Sequence, residues 1–217
     1  MLGLIWKDLI NLKKNAKIFA ILAVLYAFMA YFSADASFFS SMFTMLIAIL
    51  TLSVYSYDEL ARWDIYALTM PVSREDIVRG KYIIMLLLTL IGSVIGTLST
   101  IAIQMIQKGT SEISGLENAW FGGAIVILFY SIALPFITKL GVEKARLIFF
   151  VIYLVPFGII YFVERAVEAG SLVIPAPLIR IAKQLMDNIA VLTPIVLIIA
   201  LFISYSVSLW VYRQKEF

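Results

Sequence analysis

The sequence predicts an all-α, polytopic membrane protein: six transmembrane helices, an N-terminal interfacial helix, and a short cytoplasmic helix between the second and third spans. Three observations carry that reading. Hydrophobic residues make up 63% of the 217 and charged residues only 14%, with a mean hydropathy of +1.00; soluble domains are about one-quarter charged. Six apolar runs follow one another, each long enough to cross about 30 Å of hydrocarbon at about 1.5 Å per residue. Between the second and third runs, Tyr57 to Tyr82 (YDELARWDIYALTMPVSREDIVRGKY) concentrates nine of the 31 charged residues. A stretch that polar stands in water, because unpaired charges and backbone groups in hydrocarbon cost several kcal/mol.

Met1 to Asn15 reads as an amphipathic helix. At about 100° per residue, Leu2, Ile5, Trp6, Leu9 and Leu12 share one face, and Lys7, Asp8, Asn11 and Lys14 the other. Its apolar part is too short for a signal-peptide core and lacks a small-residue cleavage site. The expectation is a helix in the headgroup plane, anchored by Trp6 at the boundary and by Lys7, Lys13 and Lys14 toward anionic lipid. A plain cytosolic flank of the first span is the alternative.

The spans are placed near Lys17–Ser33, Phe38–Tyr57, Tyr82–Gln107, Ala119–Leu140, Arg146–Val163 and Ile189–Tyr212, and residues 1–217 form one transmembrane domain. The turn 33–37 is short enough to make spans one and two a tight hairpin. An even number of spans puts both termini on one side. That side collects 13 of the 17 Lys and Arg residues, and the other only Lys108, Arg165, Arg180 and Lys183. The positive-inside rule makes the crowded side cytoplasmic. The outer loop 164–188 carries Pro175 and Pro177 and then a segment in which Leu178, Ile181, Ala182, Leu185 and Ile189 face one way. It is expected to be a helix on the outer leaflet, a connector or a cover over an exit path.

The cytoplasmic segment 58–76 has internal structure. Asp58 to Leu68 can form a short helix with Leu60, Trp63 and Ala67 on one stripe. Pro71 breaks it, since the residue before a proline is pushed away from helix. Ser73 then stands at an N-cap position, with Glu75 and Asp76 in the first turn of a helix that continues through Gly80 and Lys81 into span three. A short helix, a proline elbow and a capped transmembrane helix would act as a lever.

What is absent narrows the chemistry. The chain has no His and no Cys, so the usual zinc, haem and iron–sulfur ligand sets and thiol catalysis are excluded, and an enzyme is not expected. A net charge of +3 is too small to argue for nucleic acid. No charged residue lies deep in a span, whereas ion-coupled carriers usually place carboxylates or histidines there, so energy enters from elsewhere. Gly80-Lys81 is not a phosphate-binding loop, because Glu75 and Tyr82 stand where Gly and Ser/Thr are required. Gly92 and Gly96 permit close helix approach, in a packed core or at a dimer seam. Pro135, Pro156 and Pro194 can shape spans four to six. Gln104, Ser204 and Ser206 are candidates for a polar lining. The abundant Phe, Tyr and Met residues suit either lipid or an amphipathic substrate.

Over its whole length the chain resembles the permease subunits of bacterial type-2 ABC (ABC-2) exporters. The most specific part is Glu59, Trp63, Leu68-Thr-Met-Pro71-Val-Ser73-Arg74, Ile77-Val78 and Gly80-Lys81-Tyr82. It is similar to the segment of a small Firmicute group that includes exporters of phenol-soluble modulins and of antimicrobial peptides. Met70 stands where many relatives have Leu. The resemblance implies a multi-pass protein of the bacterial cell membrane with no cofactor of its own, ATP and Mg sitting on two copies of a partner ATPase. A second permease, identical or a paralogue, would complete the transporter, with spans one and five commonly facing it. It further implies an ATPase-coupling set of Glu59, Leu60, Trp63, Tyr66, Ala67, Pro71 and Arg74, and a peptide substrate. Lipid or drug export, and a non-coupled ligand-capturing or structural membrane subunit, remain the other readings.

Overall fold

A computed structural model describes residues 2–14, 16–32, 38–108, 114–168 and 187–215, and residues 175, 177, 180, 183 and 184. Among the described residues all regular structure is helical. The helices are α1 (Leu2–Lys13), α2 (Ala16–Phe32), α3 (Phe38–Ala48), α4 (Leu50–Leu60), α5 (Trp63–Ala67), α6 (Arg74–Lys108), α7 (Ser114–Leu140), α8 (Val142–Glu168) and α9 (Ile189–Gln214). The turn at 33–37, the loop at 109–113 and most of the outer helix expected at 178–188 lie outside the described residues. So do the side chains of Arg146 and Pro156.

Four helices have the length and apolar composition of a membrane span: Phe39–Leu60 (α3 with α4), Arg74–Gln107, Glu117–Leu140 and Ile189–Gln214. A bent pair, Gly3–Lys13 with Lys17–Phe32 at 69°, makes up to five. The span expected at Arg146–Val163 falls within α8.

The core forms where α3, α6, α7 and α9 meet. The half near the start of α6 and the end of α9 buries Ile77, Met85, Leu134, Ile137 and Tyr212. Small residues let the backbones approach. A Cβ on Gly96 would stand 2.7 Å from the Ser40 carbonyl oxygen, and one on Gly122 2.7 Å from Ser41 Cα. Gly92 likewise lies against Thr44, so the Gly92/Gly96 pair is spent on α3 of the same chain. Hydroxyls within the helices turn back on their own backbone: Thr89 to Met85, Ser93 to Thr89, Thr97 to Ser93 and Thr100 to Gly96. This leaves few donors facing hydrocarbon.

Irregular backbone is met by specific partners. At the α3–α4 junction the Leu52 N–H bonds to Ile49 O at 3.0 Å rather than four residues back, and the Ala48 carbonyl accepts the buried Tyr130 hydroxyl at 2.8 Å. At the start of α6 the Ser73 Oγ accepts the Asp76 N–H at 3.1 Å and the Ser73 N–H donates to Asp76 Oδ2 at 3.4 Å, a reciprocal cap at the N-cap position expected for Ser73. At the α7–α8 turn Gly141 takes φ +80°, and Glu59 accepts the Val142 N–H at 2.7 Å. A carboxylate there caps α8 and meets its positive end. A Cβ on Gly141 would press into that carboxyl, 3.1 Å from its carbon. Gly141→Ala is therefore expected to cost about 1–2 kcal/mol from the left-handed backbone and the displaced cap. Thermal unfolding in detergent checks it; a Gly141→Ala melt matching the parent would mean the turn is not held this way.

Candidate functional site

The segment 58–76 sits on a buried ionic cluster that joins three helices. Lys7 and Asp8 come from α1, Asp58 from the last turn of α4, and Lys81 from α6. Lys7 Nζ lies 2.7 Å from Asp58 Oδ1 and 2.8 Å from Asp8 Oδ1, Lys81 Nζ lies 3.3 Å from Asp8 Oδ2, and Lys81 also hydrogen-bonds Asp58. Asp8, Asp58 and Lys81 are only 3%, 7% and 7% exposed. Two cations alternate with two anions, so each buried charge has two opposite neighbours, the condition under which burying ions is tolerable. Aromatic faces close the cluster: Lys7 Nζ is 4.2 Å from the centre of the Trp63 ring and Lys81 Nζ 5.2 Å from that of Tyr55.

A second set of contacts ties the same segment to the end of α9. The Tyr212 hydroxyl donates to Asp64 Oδ1 at 3.1 Å, and Lys215 Nζ lies 3.9 Å from Asp64 Oδ2. The Arg74 guanidinium donates to the carbonyls of Tyr212 and Arg213, placing a cation on the negative end of α9. Arg213 pairs with Glu75, an exposed contact of small energetic weight. A cavity of about 200 Å³ lies between the two sets, its mostly apolar wall (Ile77, Val78, Ile137) interrupted by Asp58, Asp64 and Lys81. Among the described residues no group of three or more Asp, Glu, His or Cys could hold a metal ion.

The expected coupling residues separate into two kinds. Leu60 is 82% and Tyr66 58% exposed; with Ile65 and Met70, also exposed, they make an apolar outer face. Pro71 is exposed beside it. The other four work inward. Glu59 caps α8, Trp63 packs on Lys7 and on Tyr66 at 5.7 Å, Ala67 is fully buried, and Arg74 caps α9.

Two details differ from expectation. The short helix does not run unbroken from Asp58 to Leu68: α4 continues to Leu60, Arg62 takes a left-handed conformation (φ 47°), and α5 begins at Trp63. A left-handed non-glycine residue costs about 1–2 kcal/mol. The reversal takes Leu60 outward while Ala67 turns inward, so Leu60, Trp63 and Ala67 do not form one stripe. In α1, Asp8 leaves the solvent face and joins Leu12 in the interior, while Trp6 is 67% exposed. Of the expected anchors, Trp6, Lys13 and Lys14 are exposed and Lys7 is committed to the cluster. Among the candidate lining residues, Ser204 is buried with Ser208 on the Tyr82 hydroxyl, at 2.6 and 2.8 Å, Gln104 is buried, and Ser206 bonds back to Phe202.

These contacts tie the segment 58–76 to α1, to α6 and to the end of α9. A family model described as ABC-2 family transporter protein matches residues 3–213. Neither the curated proteins nor the solved structures contain a match. With 211 of 217 residues matched and four to five span-forming helices, the chain belongs to the ABC-2 transporter family, as a multi-pass membrane transport subunit of the kind that works with an ABC ATPase.

Proposed function

We propose that the chain is the permease subunit of an ATP-driven ABC exporter of the bacterial cell membrane, moving amphipathic or antimicrobial peptides outward. It crosses the membrane six times with both termini cytoplasmic. Two copies of a separate ATPase supply ATP and Mg, and a second permease, identical or a paralogue, completes the pathway. The observation that carries the coupling role is the outer face of α5 and its flanks. Leu60, Ile65, Tyr66 and Met70 expose apolar surface at a water-facing elbow, on a segment held from behind by the ionic cluster and the α9 contacts. Exposed apolar and aromatic side chains on a rigid support are the usual anchors of a protein interface. A second permease is supported by α2 and α8, whose outer faces leave Ile21, Val24, Phe28, Leu147, Leu154 and Phe162 exposed.

Leu60→Glu with Tyr66→Glu removes the two most exposed of the four anchors and substitutes none of the inward residues. The doubly substituted chain is expected to insert and melt like the parent but to bind its ATPase at least about 30-fold more weakly. Substrate-stimulated ATP hydrolysis in nanodiscs should fall with it. Unchanged co-purification and stimulated hydrolysis would leave α5 without a coupling role.

A further inference from the structure

A groove of about 540 Å³ opens on the membrane face between α7 and α9, and nothing in the coupling mechanism uses it. Its wall is apolar, with Leu128, Ile132, Phe136, Ile203 and Val207, and it ends at Lys139 and Trp210. From Leu128 to Lys139 on α7 is eleven residues, about 16 Å of helix. That is close to half of the about 30 Å hydrocarbon core, so the groove is one leaflet deep. Lys139 is exposed and, among the described residues, makes no ion pair. The Trp210 ring beside it is 61% exposed, the position of an indole at a membrane interface.

We propose that this groove holds one acyl chain of an anionic phospholipid, with the lipid phosphate on Lys139. Charge and depth select this occupant. A cation at headgroup level asks for an anion, and a groove that stops at mid-membrane suits a lipid, whereas a partner helix would need a surface through both leaflets. A groove of about 480 Å³ between α6 and α7 is lined without a charged residue and has nothing to choose a headgroup. The inference goes beyond the export role and rests only on the chain crossing a membrane.

The test is native mass spectrometry of the full chain in detergent, titrated with phosphatidylglycerol or with phosphatidylcholine of the same chains. The native chain is expected to retain phosphatidylglycerol preferentially. Lys139→Gln should lower that preference about fivefold, the worth of one lysine beside an anionic headgroup, while Lys144→Gln leaves it unchanged. Val207→Trp, which fills the groove and keeps Lys139, should also abolish retention, and soluble glycerol phosphate should not displace the lipid. Equal retention of the two lipids, indifference to Lys139→Gln or Val207→Trp, or displacement by glycerol phosphate would overturn the proposal. The chain has no cysteine, so Val207→Cys adds a single thiol. A disulfide between copies at that position in native membranes would make the groove a contact between permeases and overturn it as well.

Discussion

Lys81→Met is expected to destabilise the protein by about 3–5 kcal/mol, the cost of leaving buried charge uncompensated. Lys81 contacts both Asp8 and Asp58, and all three are less than 8% exposed. Without it Lys7 alone faces two buried carboxylates, and the cluster carries one net negative charge away from water. Side-chain volume barely changes, so a large loss would be electrostatic rather than a packing defect. The companion variant settles this: Lys81→Met combined with Asp8→Leu and Asp58→Leu removes the ions together, and such replacements are often neutral or stabilising. The triple variant should recover most of the thermal stability in detergent. On the proposed coupling role it should not recover substrate-stimulated ATP hydrolysis, because α1 would then be attached to α4 and α6 through apolar contacts that lack the directionality of the ion pairs. A single variant as stable as the parent would mean that water reaches the cluster and that α1 is not locked to the span bases.

The membrane class was legible because it rests on composition and on run length, both local properties. So was the start of α6, where Ser73 and Asp76 sit at the spacing of a reciprocal cap and Pro71 enforces the stop. The ionic cluster was not legible, since it joins positions 7 and 8 to 58 and 81, and no local pattern announces a pairing over that distance. One signal was available in retrospect: Asp8 is four residues from both Leu4 and Leu12, on the stripe that α1 buries, and an acid on a buried stripe asks for a cation. The inward roles of Glu59 and Arg74 were hidden for the same reason. Each caps a helix distant in sequence, so a motif that marks the segment mixes residues that hold the elbow with residues free to meet a partner. The left-handed Arg62 has no signature, since arginine is not a residue that favours that conformation.

Gly96→Leu is expected to cost about 3 kcal/mol, the upper end of overpacking, because what a side chain there would meet is backbone. The Ser40 carbonyl oxygen lies 2.7 Å and Ser40 Cα 3.3 Å from the position a Cβ would take. Neither can rotate away as a flexible side chain can, so α3 would have to separate from α6. Gly122→Leu meets Ser41 Cα and Cβ at 2.7 Å on the same helix and should behave alike, pushing α7 from α3. The two together should cost less than their sum, because a helix already displaced by the first substitution has room for the second. Gly158 of α8 is the control: a Cβ there meets nothing within 4 Å, and Gly158→Leu should melt with the parent. Parental melts for Gly96→Leu and Gly122→Leu would show that α3 does not lie against these glycines. The Gly92/Gly96 face would then be free, and a seam between two permease copies would become the better account of it. Loss of stability in both, with Gly158→Leu silent, places these glycines in the core of one chain and leaves the outer faces of α2 and α8 for the partner.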